Sequence, residues 1–314
     1  MRLHRLGVLG VSVKSALLPP VCLALAWMMT CVASQPERTE VKPPPDSAEL
    51  KLPALIVQLD DDKFQKREQA TKELQQLGRS IIPQLEAARD RTASPEVRRR
   101  LERVLDWHRP RLEWFRDRAE LVKRLNRRVR VVTFDDLDTS KEDAVSFAAD
   151  RYARQLGIVI TGEGGQFAGR TFGYAVHYPP VSGPNMYAPG PTARRDAASG
   201  AGGSRTDVTF AVGGKAAAVT AFAAVFIDAD YPDIAASSLR AFDRKGKPLG
   251  EAKLVQGVNA SQVFCGVIAV DGGGNLVPDI VRVHLVNGGN WPGIEAGEGV
   301  ALDDFLFAEP VVIE

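Results

Sequence analysis

Cysteine is scarce, with three in 314 residues, and two of them, Cys22 and Cys31, fall within the first 34. With that leader removed Cys265 stands alone, so no intramolecular disulfide framework can staple the fold. Histidine is almost as rare, and the sequence carries no metalloprotease helix motif, no nucleophile elbow and no paired Cys-x-x-Cys. Thr161-Gly162-Glu163-Gly164-Gly165 is rich in glycine but lacks the lysine and following helix of a phosphate cradle, and it reads as a turn. Neither sign of charge prevails, since 40 basic residues face 39 acidic ones. No global field therefore points to nucleic acid or to a membrane surface. Beyond the N-terminus no stretch is apolar over the roughly 20 residues that a spanning helix needs.

What is present begins with a tripartite leader. Arg2, His4, Arg5 and Lys14 form a basic start, Ala16 to Met29 an apolar run broken by Pro19-Pro20, and Cys31-Val32-Ala33-Ser34 a small-residue cleavage site. This layout predicts a secretory signal over 1–34 and an exported protein, in periplasm, envelope or outside the cell. Two alternatives stand beside it, a retained N-terminal anchor and lipidation of Cys31. Met28-Met29-Thr30 is a poor lipobox before that cysteine. Membrane contact is expected only through such a lipid or uncleaved anchor.

Residues 35–47, with Pro36 and Pro43-Pro44-Pro45, read as a stiff spacer. Apolar residues then recur at three- and four-residue spacing through Leu52, Leu55, Leu59, Ala70, Leu74 and Leu85, and Gly78 reads as a left-handed helix stop. Ser94-Pro95-Glu96 is a helix start ahead of the stripe Val97, Leu101, Val104 and Leu105. After Pro110 the spacing of Leu112, Phe115, Ala119, Val122 and Leu125 predicts a further helix, so that 48–129 forms a small antiparallel helical module. From residue 130 onward short apolar runs alternate with turn residues. Seven of them, 156–161, 206–212, 218–228, 238–243, 263–270, 280–286 and 301–307, predict strands. The proline- and glycine-rich stretch 179–204 reads as a long mobile surface loop. The expected fold is α+β in two modules, a helical bundle followed by an all-β jelly-roll-like sandwich over 130–314.

Two resemblances attach to these residues. Leu59-Asp60-Asp61-Asp62-Lys63-Phe64, Arg67-Glu68-Gln69-Ala70-Thr71 and Ser94-Pro95-Glu96-Val97-Arg98-Arg99-Arg100-Leu101 resemble the short HEAT-like helical unit of exported bacterial proteins, which implies a role in protein contacts. Phe134-Asp135-Asp136-Leu137, the run Ala221 to Asp230 and Leu302-Asp303-Asp304-Phe305 resemble the bracketing and central strands of β-sandwich domains common in proteins with a PEP-CTERM sorting tail. The chain stops at Glu314 without the apolar helix and basic cluster of such a tail. By this resemblance any anchoring comes from the N-terminus.

Among polar residues the aspartates draw most notice. If the terminal strands lie side by side, carboxylates at their ends suit a structural calcium, which takes 6–8 oxygen ligands. Strand alternation turns one of each adjacent pair inward, and Asp135 and Asp303 are the expected ligands. Asp228 and Asp230 form a second candidate cluster. Tyr174, Tyr178, Tyr187 and Trp291 could stack on sugar rings. His177 and His284 read as surface or core histidines and Cys265 as a buried, inert thiol. Arginines crowd 98–130, but Glu102, Asp106, Glu113, Asp117 and Glu120 interleave with them, which predicts a solvated helix face rather than a nucleic-acid surface. Contact with anionic envelope polymers or lipid head groups is the functional alternative, and Trp107, Trp114 and Phe115 are expected in the core. The functional expectation is a non-catalytic envelope binding or structural protein, its partner a glycan or an envelope protein. The rival is a secreted, glycan-active hydrolase whose carboxylates converge only in the fold.

Overall fold

A computed structural model describes residues 47–142, 144–170, 179–190, 204–227, 237–254, 261–287 and 301–313. The leader and spacer, with Cys31, lie outside these residues, as do Tyr174, His177, Tyr178, Asp228, Asp230 and Trp291. Among the described residues no helix is long and apolar enough to cross a membrane.

Four helices open the described chain: α1 (Ser47–Gln58), α2 (Phe64–Gln76), α3 (Ile82–Arg91) and α4 (Pro95–His108). Their apolar stripes meet in one cluster that includes Leu59, Leu74, Ile81, Leu85, Leu101 and Val104. Ser94 caps α4 as its sequence context predicts, with its Oγ accepting from the Val97 N–H. Gly78 departs from expectation: its φ of −62° is not left-handed, and it leads into a single 3-10 turn. Arg100 is the one charged side chain deep in this bundle. Its side chain is 4% exposed and bonds Glu96, Glu68 and Thr71 at 2.7, 2.7 and 3.2 Å. Arg100→Ala removes these bonds and the packing of the aliphatic stem, and should lower stability by about 2 kcal/mol in denaturant unfolding.

Residues 111–125 do not continue the helices. Arg111–Phe115 is a strand, β1, and only Arg118–Arg124 is helical, as α5. Of the stripe expected there, Leu112 and Phe115 fall in the strand, while Ala119 and Val122 lie in α5 and Leu125 caps it. Leu112 and Trp114 lean on the core between the sheets, whereas Phe115, Leu121, Val122 and Leu125 cover the opposite face of the sheet that β1 joins.

The remaining elements are β2 (Arg130–Val132), β3 (Ala144–Ser146), α6 (Ala153–Leu156), β4 (Ile158–Gly162), β5 (Gln166–Gly169), β6 (Met186–Pro189), β7 (Ser204–Val212) and β8 (Lys215–Ala218). They continue with β9 (Ala221–Ile227), β10 (Ser238–Phe242), β11 (Pro248–Lys253), β12 (Gln262–Val270), β13 (Arg282–Asn287), β14 (Ala301–Phe307) and β15 (Val311–Val312). One antiparallel sheet runs β1-β12-β9-β14-β6-β5-β3, with β2 also paired to β14. The other runs β11-β10-β13-β7-β8-β15, with β4 also paired to β7. Phe222, Phe226, Val267 and Phe305 of the first meet Ile160, Phe210, Leu239 and Leu285 of the second in one buried layer, the arrangement of a β-sandwich.

Each of the seven runs expected to be strands contains one, although Leu156 ends α6, the run 218–228 is divided between β8 and β9, and Asp228 lies outside the described residues. The run Ala221–Ile227 is apolar at every position because it is buried on both faces: α5 and its neighbours cover the side away from the sandwich core. Pro179 to Ser204 is not simply a loop, since Met186–Pro189 within it is a fully buried strand.

The helices and the sandwich touch directly. The Gly272 N–H donates to the Trp107 carbonyl at 2.7 Å, and Arg79 pairs with the buried Asp279 at 3.4 Å.

Candidate functional site

The two strands beside the aspartate pairs, β2 and β14, do lie side by side. β2 pairs with β14 in antiparallel register, Val132 opposite Phe305, so the chain after β2 and the first half of β14 meet at one end of the first sheet. Two backbone features shape that end. A bulge interrupts the pairing of β14 with β9 between Asp303 and Leu306, and Asp304 sits at φ +47°. Aspartate tolerates the left-handed region better than most residues, and the extra residue lets both Leu302 and Phe305 face the core. Phe134 is also left-handed, at φ +63°, an uncommon state for a bulky side chain. Its ring is held by Tyr187, stacked at 5.4 Å, and by Phe305, edge-on at 5.3 Å.

The bulge overturns the alternation argument. Asp303 and Asp304 are both fully buried, not one inward and one outward. Their partners lie in the segment 179–185 that precedes β6. Asp303 Oδ2 accepts from the backbone N–H groups of Val181 (2.8 Å) and Ser182 (3.2 Å), and its Oδ1 from that of Asp304 (2.7 Å). Asp304 accepts from the Ser182 hydroxyl at 2.7 Å and from the Arg118 guanidinium. Asp135 Oδ1 accepts from the Asn185 N–H at 3.1 Å. Its carboxylate lies so near Gly183, at φ +50°, that a Cβ there would come within 2.2 Å. Asn185 completes the clasp: its amide donates to the carbonyls of Phe134 (3.0 Å) and Leu137 (2.8 Å) and accepts from the Thr139 hydroxyl (2.7 Å). Asp136 points elsewhere, to Arg151 and the Tyr152 hydroxyl.

Three aspartates thus bracket one short loop, Asp303 and Asp135 through backbone donors and Asp304 through the Ser182 hydroxyl. Burial pushes the Asp303 carboxyl up to about 7, and the neighbouring Asp304 adds to the rise against the opposing N–H bonds.

The same bonds test the expected calcium. Asp303 offers both oxygens to N–H donors, whose positive ends occupy the space a cation would take. Among the described residues no group of three or more His, Cys, Asp or Glu is placed to hold a metal. Asp303 therefore has no oxygen free of N–H donors, while Asp228 and Asp230 lie outside the described residues.

Tyr187, expected to stack on sugar, is a core residue. Its ring is fully buried among Phe134, Phe147 and Phe305, and its hydroxyl sits 3.1 Å from that of Thr206. A ring enclosed in this way has no face to offer a ligand. His284 lies on the outer face of the second sheet, as alternation predicts, with Nε2 2.5 Å from Asp207 and its ring against Phe242. Burial lowers its pKa, against the pull of Asp207. Cys265 is 1% exposed, and burial pushes its thiol up to about 11, the inert state expected of it. Several arginines of 98–130 are paired with other parts of the chain while staying partly exposed, Arg118 with Asp304, Arg124 with Glu113 and Arg130 with Glu309.

Sequence reading missed Ser182, Asn185 and Arg118. Asn185 had a signal, an asparagine just ahead of the apolar run Met186-Tyr187-Ala188, but the surrounding prolines and glycines hid it.

No family model matches the chain, and no curated protein matches it. Three solved structures show a distant likeness. An arabinose-bound GH51 α-L-arabinofuranosidase is 13% identical with a TM-score of 0.29, over 57% of this chain and 25% of the enzyme, so the chain spans about a quarter of that protein's length. The enzymatically active domain of tailspike protein 4 from bacteriophage CBA120 is 12% identical with a TM-score of 0.23, over 52% of this chain and 21% of that one. The K1 cleaved adhesin domain of Lys-gingipain from Porphyromonas gingivalis W83 is 10% identical with a TM-score of 0.22, over 57% of this chain and 96% of the domain. None of these likenesses is strong enough to carry a functional argument.

Proposed function

We propose that the chain is a non-catalytic binding module of an exported bacterial protein, and that its ligand is a glycan. One observation carries the reading: the two buried carboxylates of β14, with Asp135 just after β2, are anchors of a loop. A catalytic pair must face a substrate, whereas Asp303 is 0% exposed and both its oxygens are taken by backbone donors. A loop tied at both ends keeps its shape without ligand, which lowers the ordering cost of binding.

The choice of glycan follows from the outer face of the second sheet. There Glu251, Arg240, His284 and Asp207 form a row across four neighbouring strands in register, beside Phe242 with Arg282 stacked on it at 4.3 Å. Phe242 is itself buried, under Arg282 and against His284, so it supports the row from beneath, and the partly exposed planar polar side chains suit sugar hydroxyls. Tyr178 and Trp291 belong to the proposal as stacking residues, and export rests on the leader 1–34. The four helices, in their HEAT-like reading, supply contacts to an envelope protein.

A glycan array probed with the mature protein, followed by a reducing-end assay on whatever binds, tests this reading. Binding without release of reducing ends is expected. Turnover of a bound glycan, or an array with no binding at all, overturns it.

A further inference from the structure

Three loosely paired arginines converge on one cleft. Arg99, Glu102, Arg103 and Asp106 recur at three- and four-residue spacing on one face of α4, and with Gln75 of α2, Trp107 and Arg111 of β1 they line a cleft of about 370 Å³. The cleft is shallow and open to solvent along much of its length.

The cations in this cleft are poorly neutralised. Arg99 reaches Glu96 only at 3.8 Å and Arg103 reaches Glu68 only at 3.9 Å, both beyond hydrogen-bond range. Among the described residues Arg111 has no ion-pair partner, and neither has Glu102. Asp106 is matched by Arg109 at 2.8 Å.

The indole of Trp107 is set firmly in the wall. The turn 271–275 packs against it so closely that a Cβ on Gly272 would lie 2.8 Å from the ring, and Gly272 itself is bonded to the Trp107 carbonyl. A fixed aromatic ring beside two or three under-neutralised guanidinium groups, with a carboxylate and an amide free to meet hydroxyls, is a set of complementary features. The fork of Arg matches a carboxylate, the ring matches a pyranose face, and Gln75 with Glu102 matches sugar hydroxyls.

We propose that the cleft between α2, α4 and β1 binds a carboxylated sugar, a uronate unit of an acidic glycan, through Arg103, Arg111 and Trp107. This rests on the reading of the chain as a glycan-binding module and adds the site and the charge of the ligand. The cleft lies on the helical part, away from the aspartate-clasped loop, so the helices take part in recognition as well as in packing.

The test compares trigalacturonate with its neutral methyl ester by titration calorimetry, in wild type and in the double variant Arg103→Gln/Arg111→Gln. Both substitutions are of residues lining an open cleft, and an unchanged melting temperature verifies that the fold is kept. Wild type should bind the acid at least about tenfold more tightly than the ester, with a preference that weakens as salt rises, and the double variant should lose it. Trp107→Phe, which keeps a ring against Gly272, should retain most of the affinity.

Equal affinity for acid and ester, or a double variant that binds the acid as wild type does, sinks the proposal while leaving the glycan reading intact. No binding of the acid at millimolar concentration, with other glycans bound on the array, does the same. Tighter binding of inorganic polyphosphate than of trigalacturonate overturns the choice of carboxylate. A silent array together with a silent titration removes both readings.

Discussion

Asp303→Ala should destabilise the protein by about 2–4 kcal/mol, among the largest effects of any single polar substitution in it. Three backbone N–H groups, those of Val181, Ser182 and Asp304, lose their acceptor in a place that water does not reach. The pH dependence carries a distinct signature. The folded-state pKa of Asp303 is about 7 against an ordinary 3.8, so between these values the folded protein holds a proton that the unfolded chain has released. Stability from this group is therefore greatest at the acid end of the window and falls as pH rises through about 4 to 7, after which it is level. Asp303→Asn removes the titration, so its melting temperature should lack this part of the decline. Thermal unfolding of both proteins across pH 4–8 gives the comparison, and identical slopes would contradict the buried, protonatable anchor.

Asn185→Ala should cost about 3 kcal/mol, read as a shift of the urea midpoint with an unchanged slope. The loss leaves the carbonyls of Phe134 and Leu137 without their donor and the Thr139 hydroxyl without its acceptor, all near the left-handed Phe134. Asn185→Asp is the sharper variant. It keeps the shape but turns an acceptor toward two carbonyl oxygens, so it should be no more stable than the alanine variant. A near-wild-type aspartate variant would mean that the two carbonyl bonds contribute nothing.

The strands with uninterrupted apolar runs were legible in the sequence because burial on one or both faces leaves a direct mark on composition. β9 is the clearest case. β1 was not legible: Leu112 and Phe115 fit a helical period, and only the distant pairing of Arg111–Phe115 with Gly266–Val270 makes the segment a strand. Nothing local encodes that partner. β6 was hidden for another reason, since the prolines and glycines around Met186–Pro189 serve the turns that deliver the strand, and composition reports the turns.

At the candidate site, the side-by-side meeting of β2 and β14 was foreseeable from the paired aspartates. The use of those aspartates was not. Alternation fails at the Asp303–Asp304 bulge, and the donors that fill the carboxylate oxygens come from a loop about 120 residues earlier in the chain. Tyr187 shows the same limit, because an aromatic beside a loop looks available for stacking until the long-range contacts of Phe134 and Phe305 enclose it.

The central claim is that Asp303 and Asp304 of β14, with Asp135 just after β2, are anchors satisfied by the protein itself. Thermal unfolding of the mature protein at fixed pH, once with excess calcium and once with chelator, tests it most directly. A ligand that binds only the folded state must raise its stability. The account predicts the same melting temperature in both, whereas a melting temperature several degrees higher with calcium, abolished in Asp303→Asn, would contradict it.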